Sequence, residues 1–468
     1  MILDTGSSDL YFDAASAPAC QATGQYSCRG GEFDPTASDT YNVIQPDPAF
    51  NTSFGDGSTA TGPFSSDTVC IGDVCIDNVQ FGVATNVNST TGYALSLMGL
   101  GYSENEATRH QYPNIPEVLK LAGVIESRLY SIFLNAFSET SGSILFGGID
   151  TSKFTGALEM VNILPTVVTE PVQIDQFVTT VTELRANVGG QESTIFEGGS
   201  PGVQAYQGTD SALPVLLDTG SAAWSVPQSY YPSIASAFPF LDNQGYCRCE
   251  DVSSDDSVTL TFADTINISV PATEFIVPLY NATTNLPYIY DQSGAEACAL
   301  MIVPGEENGY GFLALGDALL RSMYVVFDLD NGQMGLAQAA RAPGEPNIVT
   351  VAAGPSGVQS ALGRQASYEP ASGTQSFSVA AGISGTATFS AETMSTTIGT
   401  ATGTAAVPFD AQISNTAGAE GGSGGSGGSG NGGGNSEGAA AGLRVPGWEW
   451  SVILAVAGGL VGMGAFWL

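Results

Sequence analysis

The sequence predicts an all-β fold divided into two similar lobes, and two observations carry this prediction. From residue 1 to about residue 342, short β-rich runs such as Ser257–Phe262 are interrupted by Gly, Asp, Asn and Pro, which is typical of all-β proteins. An Asp-Thr-Gly-Ser tetrad occurs twice, at residues 4–7 and 218–221, about one domain length apart. The second copy in the same local setting indicates an internal duplication.

From the duplication we expect a first lobe over residues 1–165 and a second over residues 166–342. Only short helices are predicted within them, near residues 115–121 and 317–321. The chain begins directly before the first tetrad, without a cleavable signal peptide. We therefore expect that an upstream segment is missing and that the first lobe is truncated at its start.

Each tetrad follows apolar residues, as expected of a strand that ends in a tight turn. Such turns would present Asp4 from one lobe and Asp218 from the other. Two carboxylates held face to face cannot both ionise easily, so the pair shares a proton. One carboxylate can then remove a proton from water while the other donates to an amide carbonyl. The sequence therefore predicts Asp4 and Asp218 as catalytic residues for hydrolysis.

The other tetrad residues suit the support of such carboxylates. Gly6 and Gly220 permit a tight turn and a close approach of the backbone. The hydroxyls of Ser7 and Ser221 are expected to donate hydrogen bonds to the outer carboxylate oxygens, which favours the ionised form. A serine or cysteine hydrolase would need a histidine beside its nucleophile, and the only histidine, His110, lies in a polar segment.

The composition excludes some partners. Acidic residues outnumber basic ones 46 to 11, for a formal net charge of -35. Nucleic acids and anionic membrane surfaces are disfavoured, because both need clustered Lys and Arg. The charge fits either the solubility of a secreted protein or work at low pH, where carboxylates protonate and self-repulsion falls.

The chain has seven cysteines: Cys20, Cys28, Cys70, Cys75, Cys247, Cys249 and Cys298. No metal site or cofactor is predicted, because the Cys-x-Cys pair has no second pair and there is one histidine. Disulfides in an oxidising compartment are the better explanation. We expect the pairs Cys20–Cys28 and Cys70–Cys75, and Cys298 with Cys247 or Cys249. Crossed pairing of the first four cysteines stays open, and one cysteine must remain unpaired.

Further features indicate the secretory pathway. Four N-glycosylation sequons occur, at Asn51, Asn88, Asn267 and Asn281. Residues 343–437 are dominated by Ser, Thr, Ala and Gly, so we expect a disordered stalk.

The pattern of the last residues, 438–468, predicts the signal for a glycolipid (GPI) anchor. Trp450–Leu468 is an almost unbroken apolar run with no basic residue after it, whereas a retained transmembrane helix prefers one. Small residues and a short spacer precede the run, as an anchor signal requires. The expected attachment residue is Gly438, or Asn435 or Ser436 just before it. This predicts a chain held at the plasma membrane or cell wall.

Several short segments of the chain occur in the order that is typical of one protein family. They are both tetrads, a flap-like Ser53–Ser58, the apolar-Gly segments Leu97–Gly101 and Leu313–Asp317, and the closing stretch from Tyr324 to Ala337. Over about residues 1–342 the chain resembles the pepsin-like aspartic proteases, and its stalk and anchor look like those of the fungal yapsin group. The resemblance implies a bilobal, pepsin-like double β-barrel or sandwich with the active site in the cleft between the lobes, acting as a monomer.

The resemblance also assigns roles. Thr5 and Thr219 are expected to hydrogen-bond across the lobes. A flap is expected to cover the cleft with Phe54, Gly55, Asp56 and Gly57. The family usually has a tyrosine where Phe54 stands and a tryptophan where Tyr11 stands, so Tyr11 would keep a polar contact that Phe54 lacks. Packing of Phe54 into the core is the alternative.

The predicted function is that of an aspartic endopeptidase acting at the cell surface or wall at acidic pH. Resemblance to the yapsins implies processing or shedding of surface proteins, with cleavage near basic residues. The alternative is a catalytically silent wall or binding protein on a pepsin-like frame. Phe54 and the expected truncation allow that alternative, whereas two intact tetrads oppose it.

Overall fold

The computed structural model of the chain describes residues 1–21, 28, 30–90, 94–108, 111–139, 141–166, 174–197, 212–281, 286–305 and 312–363, and the backbone of 409–414. The strands in these ranges are β1 (Ile2–Asp4), β2 (Leu10–Asp13), β3 (Asn42–Ser53), β4 (Thr59–Ile71), β5 (Val74–Ala84), β6 (Asn86–Asn88), β7 (Leu97–Gly99), β8 (Leu129–Phe133), β9 (Ser141–Phe146), β10 (Gly148–Asp150), β11 (Phe154–Asn162), β12 (Val178–Val188), β13 (Gln191–Glu197), β14 (Leu213–Leu217), β15 (Trp224–Pro227), β16 (Tyr246–Arg248), β17 (Ser257–Phe262), β18 (Ile266–Pro271), β19 (Ile276–Pro278), β20 (Ala297–Leu300), β21 (Ile302–Gly305), β22 (Leu313–Leu315), β23 (Met323–Asp328), β24 (Gln333–Ala339), β25 (Ile348–Thr350) and β26 (Phe409–Ser414). The helices are α1 (Pro18–Gln21), α2 (Ile115–Leu121), α3 (Tyr231–Ser236), α4 (Ala272–Phe275), α5 (Asp317–Leu320) and α6 (Gly357–Leu362). The predicted fold class, mostly β-strands in two lobes with a few short helices, is confirmed, and α2 and α5 lie where short helices were predicted.

The two lobes contain matching strand arrangements. In the first lobe β1 pairs in parallel with β7, β7 pairs antiparallel with β2, and β2 pairs in parallel with β5. In the second lobe β14, β22, β15 and β21 repeat this order with the same directions. Since β1 and β14 each lead directly into one tetrad, the repeat places the two tetrads in equivalent positions.

A third sheet joins the two halves of the chain. Its order is β11-β24-β23-β8-β9-β26, so it takes strands from both sides of the predicted boundary. The main core continues across this sheet: Phe327 stacks on Tyr130 at 5.0 Å and contacts Phe177 at 4.6 Å between ring centroids. All three rings are fully buried, and each contributes about 1.5–3 kcal/mol of hydrophobic stabilisation. The two halves therefore share a packed core at this sheet.

Part of the segment predicted to be a disordered stalk, residues 343–437, is ordered. β25 pairs antiparallel with β10, and α6 follows it. Val351, Val358 and Leu362 are buried against side chains of the joining sheet. Farther along, β26 pairs antiparallel with β9 from Phe409↔Phe146 to Ser414↔Ser141. The prediction was wrong for these stretches, because a few apolar residues at close spacing suffice to cover an exposed sheet face.

The rest of the predicted stalk, Trp450–Leu468 and the candidate anchor residues Asn435, Ser436 and Gly438 lie outside the described residues. Among the residues that are described, no helix is long and apolar enough to cross a bilayer.

The disulfides join Cys20 to Cys28, Cys70 to Cys75 and Cys249 to Cys298, and Cys247 is a buried thiol. Cys247 lies directly opposite Cys298 on β16 and β20, but Cys249 is the residue that forms the disulfide. Burial raises the pKa of the Cys247 thiol to about 12. This thiol therefore stays protonated and unreactive in the folded protein.

Candidate active site

Asp4 and Asp218 lie at the ends of equivalent strands in the two lobes. Asp4 is the last residue of β1 and pairs with Gly99 of β7. Asp218 directly follows β14, and its N–H donates to the carbonyl oxygen of Leu315 at 3.1 Å. Each aspartate is thus held by one of the apolar-Gly segments that the sequence singled out. The parallel pairing of strand and support fixes where each carboxyl emerges.

The glycine of each tetrad lies against the aspartate of the opposite lobe. A Cβ placed on Gly6 would stand 2.5 Å from Oδ1 of Asp218, and one on Gly220 would stand 2.6 Å from Cγ of Asp4. Any side chain there would clash with a carboxyl group, so glycine is required for this approach. The carboxyl groups of Asp4 and Asp218 are hydrogen-bonded to each other. The structure therefore brings the two predicted carboxyls together.

The threonines of the tetrads connect the lobes. Thr5 Oγ1 donates to the carbonyl oxygen of Leu217 at 2.7 Å, and Thr219 Oγ1 donates to that of Leu3 at 2.7 Å. Each hydroxyl also accepts the backbone N–H of the other threonine, at 3.0 and 3.1 Å. Both residues are buried. The network fixes one tetrad loop against the other across the seam.

The two aspartates differ in the donors around them. Asp4 accepts from the N–H of Gly6 at 2.8 Å and from the hydroxyl of Ser7 at 2.5 Å. Asp218 accepts from the N–H of Gly220 at 2.8 Å. The hydroxyl of Ser221 instead donates to the carbonyl oxygen of Ala223 at 3.2 Å. The expectation that both serines support a carboxylate is therefore wrong for Ser221, because its hydroxyl donates a hydrogen bond to a nearby backbone carbonyl instead.

This asymmetry decides where the shared proton lies. Burial raises the pKa of Asp218 well above its usual range, and the charge of Asp4 and their shared hydrogen bond raise it further. Asp218 is accordingly the member of the pair that more readily holds the shared proton. Asp4, with its extra hydroxyl donor, is the better place for the negative charge.

The flap-like segment is the turn of the hairpin formed by β3 and β4. Phe54 and Ser58 close it through a backbone hydrogen bond of 2.9 Å, and Gly57 has a φ of 83° that favours glycine. Phe54 is partly buried and its ring lies 6.3 Å from that of Tyr11. Phe54 thus packs on the edge of the core.

Tyr11 is buried beside the flap. Its hydroxyl donates to the carbonyl oxygen of Leu95 at 3.1 Å. Burial raises the pKa of Tyr11 far above its usual range, and the charges of Asp13, Asp4 and Asp56 add to the rise. The polar contact of Tyr11 is therefore to the backbone of its own lobe.

Sequence reasoning missed a buried acidic group behind the first tetrad. Asp9 accepts from the hydroxyl of Tyr112 and the N–H of Ala107, both at 2.7 Å. Glu106 accepts from the N–H of Tyr112 at 2.9 Å. Burial and then the charge of Asp9 raise the pKa of Glu106 to about 10. The position of Asp9 two residues after the tetrad was the one available signal.

A metal centre is absent from the described part of the chain. Within it no group of three or more His, Cys, Asp and Glu side chains could hold a metal ion. His110 lies outside the described residues.

Comparisons with known proteins agree with this geometry. The model of the family described as eukaryotic aspartyl protease matches residues 1–339. The probable aspartic-type endopeptidase opsB of Aspergillus fumigatus is 32% identical over 377 residues, covering 77% of this chain and 70% of that protein. Secreted aspartic protease 3 of Candida albicans is 32% identical over 346 residues, covering 72% and 75%. The crystal structure of an aspartic proteinase from Irpex lacteus has a similar fold, with a TM-score of 0.53 at 19% identity, covering 74% of this chain and 91% of that one.

Proposed function

The chain belongs to the eukaryotic aspartyl protease family and is an aspartic-type endopeptidase, and we propose that Asp4 and Asp218 are its catalytic carboxylates. The observation that carries this assignment is the hydrogen-bonded pair of carboxyl groups with unequal donors. Thr5, Gly6 and Ser7, with Thr219, Gly220 and Ser221, form the loops that support the pair.

Each residue has a chemical task in this proposal. Asp4 is ionised and removes a proton from the attacking water as general base. Asp218 is protonated and donates a hydrogen bond to the carbonyl oxygen of the scissile amide, which stabilises the developing negative charge. As the C–N bond breaks, the nitrogen of the leaving amine takes up a proton from the pair. The N–H of Gly6 and the hydroxyl of Ser7 hold the carboxyl group of Asp4 in place.

The flap completes the site. Phe54 offers an apolar surface over the cleft, and Gly55, Asp56 and Gly57 give the turn the freedom to close on a bound peptide. Tyr11 supports Phe54 from below through ring contact. Substitution of the family's usual tyrosine by Phe54 is expected to alter rate or specificity without abolishing turnover.

Peptide cleavage by the purified chain tests the proposal. We expect cleavage of a peptide library at acidic pH, blocked by a peptide mimic that carries a hydroxyl at the scissile position. The alternative, a catalytically silent wall or binding protein, predicts binding of the mimic without turnover. Absence of cleavage from pH 3 to 7, an interval of about four units around the ordinary carboxyl pKa, would favour that alternative.

We further propose that the chain acts in the secretory pathway and at the cell surface. Secreted relatives, three disulfides and sequons at exposed Asn51, Asn88 and Asn267 and partly exposed Asn281 support this. A GPI anchor at Gly438, Asn435 or Ser436 would hold it at the membrane or wall after the stalk. Release from cells by a phosphatidylinositol-specific phospholipase tests the anchor, and a matched chain ending before residue 430 is the control.

The proposed substrates are surface proteins, cleaved near basic residues. The formal net charge of -35 favours the approach of basic peptides. Profiling of cleavage sites in a library with equal numbers of Lys, Arg, Glu and Asp positions tests this. Enrichment of Lys and Arg beside the cleaved bond is expected, and a flat profile would contradict it.

A further inference from the structure

The tip of the flap is tied to a neighbouring segment through Thr90. The hydroxyl of Thr90 donates to Oδ2 of Asp56 at 2.6 Å, and its N–H donates to the hydroxyl of Ser58 at 3.1 Å. Ser58 in turn donates its hydroxyl to Oδ2 of Asp56 at 2.7 Å and its N–H to Oδ1 at 2.8 Å. Thr90 and the flap turn thus form one closed polar network.

The fold brings Thr90 to this place. β6 pairs with β4 from Thr59↔Asn88 to Thr61↔Asn86, on the first residues after the flap turn. Thr90 follows β6 by two residues and therefore lies beside the turn. A Cβ on Gly57 would stand 3.8 Å from the methyl group of Thr90, so the contact is close without crowding.

We propose that Thr90 is a positioning residue that holds the flap turn in the conformation that receives a peptide. This inference rests on the proposed function, because it assumes that the flap covers bound substrate. A hairpin tip with glycines at positions 55 and 57 has many accessible conformations, and binding must restrict them. The contacts of Asp56 and Ser58 with Thr90 restrict them beforehand, which lowers the entropy lost on binding.

The effect should appear in binding more than in folding. Thr90 is exposed and Asp56 is only partly buried, so the loss of their hydrogen bond leaves no buried polar group without a partner. The hydrogen bonds of Thr90 go to Asp56 and Ser58 and not to the carboxyl pair. We therefore expect KM to change while kcat stays nearly constant.

Thr90 also completes the sequon Asn88-Ser89-Thr90, so the variants must separate the hydroxyl from a glycan. Thr90→Val removes the hydroxyl and the sequon. Thr90→Ser keeps both. Asn88→Gln removes only the sequon. All three are compared with the wild-type chain.

The experiment measures kcat and KM for one peptide at acidic pH and amide hydrogen exchange of residues 54–58 without substrate. Thr90→Val should raise KM about 3–10-fold, as the loss of one hydrogen bond implies, with faster exchange in the flap. Thr90→Ser and Asn88→Gln should resemble the wild type in both measurements. Wild-type KM and exchange in Thr90→Val, or the same changes in Asn88→Gln, would overturn the proposal. Because exchange is read without substrate, it tests Thr90 even if the wild type fails to cleave, a result that would contradict the proposed function instead.

Discussion

Thr5 and Thr219 exchange reciprocal hydrogen bonds across the seam between the lobes, each hydroxyl accepting the backbone N–H of the other at 3.0 and 3.1 Å. Each hydroxyl also donates its proton to a carbonyl oxygen of the opposite lobe. These hydrogen bonds hold the two tetrad loops against each other and so fix the relative position of Asp4 and Asp218.

Thr219→Val, which keeps the shape but removes the hydroxyl, should weaken both folding and catalysis. It leaves the buried N–H of Thr5 and the carbonyl of Leu3 without partners, at about 1–3 kcal/mol for each group. Denaturant unfolding and kcat/KM are the measurements, with Thr219→Ser as the control that retains the hydroxyl. Unchanged stability in Thr219→Val would show that the seam does not depend on this network.

Ser7→Ala and Ser221→Ala should have unequal effects, although the two serines occupy the same tetrad position. Ser7 donates to Asp4, whereas Ser221 donates to the carbonyl of Ala223. Loss of a hydrogen bond to a charged group costs about 1.5–3 kcal/mol, so Ser7→Ala should lower kcat/KM about 10–100-fold. Ser221→Ala should lower kcat/KM less, because its hydroxyl donates to a backbone carbonyl oxygen. Equal kcat/KM values for the two variants would contradict the assigned asymmetry.

Glu106→Gln should make the protein more stable at neutral pH. The pKa of Glu106 is raised to about 10 in the fold, while the unfolded chain releases this proton near the ordinary pKa of about 4.3. The folded state therefore binds the extra proton, and stability falls as the pH rises from about 4.3 towards 10, by up to about 1.4 kcal/mol per unit. Raised pKa values of Asp9 and Asp218 act in the same direction.

Thermal unfolding at pH 4 and pH 7 measures this effect, the lower value lying near the ordinary carboxyl pKa of about 4. The wild type should unfold at a lower temperature at neutral pH, and Glu106→Gln should reduce the difference. Substitution of the exposed Glu126 by Gln is the control and should leave the difference as it is. A pH dependence unaffected by Glu106→Gln would refute the role given to this carboxyl.

Asp330→Asn should destabilise the protein with the opposite pH dependence. Asp330 accepts hydrogen bonds from Lys120 at 2.7 Å and Arg128 at 2.8 Å. Burial alone would raise its pKa, but these hydrogen bonds outweigh it and hold the pKa well below the usual range. The stabilisation is present above about pH 4 and is lost as the pH falls. The variant should lose about 1–2 kcal/mol near pH 6, within the ordinary range for partly exposed charged pairs, and a loss equally large at pH 2 would contradict the assignment.

The sequence predicted what short motifs determine and missed what distant residues decide. Asp4 and Asp218 could be predicted because the tetrad encodes the strand end, the turn and the carboxyl together. The partner of Asp9 could not, since Tyr112 lies 103 residues away. Cys298 forms its disulfide with Cys249, although the residue opposite Cys298 in the strand pairing is Cys247. The tetrad motif also does not indicate that the hydroxyl of Ser221 donates to the carbonyl oxygen of Ala223.

The regular structure of residues 348–363 was not predicted, for a related reason. Its composition resembles a stalk, and only the exposed face of the joining sheet makes burial of Val351, Val358 and Leu362 favourable. The role of Thr90 could not be predicted either, because only the pairing of β6 with β4 brings Thr90 beside Asp56.

The activation of water by two carboxyls that share one proton is tested most directly by the kcat/KM of Asp218→Asn at acidic pH. An amide keeps the size of the side chain but cannot hold the shared proton. If this variant unfolds at a temperature close to that of the wild type, its kcat/KM should fall at least about 100-fold, the lower end of general acid–base contributions. A correctly folded Asp218→Asn that cleaves peptides at the wild-type rate would contradict it.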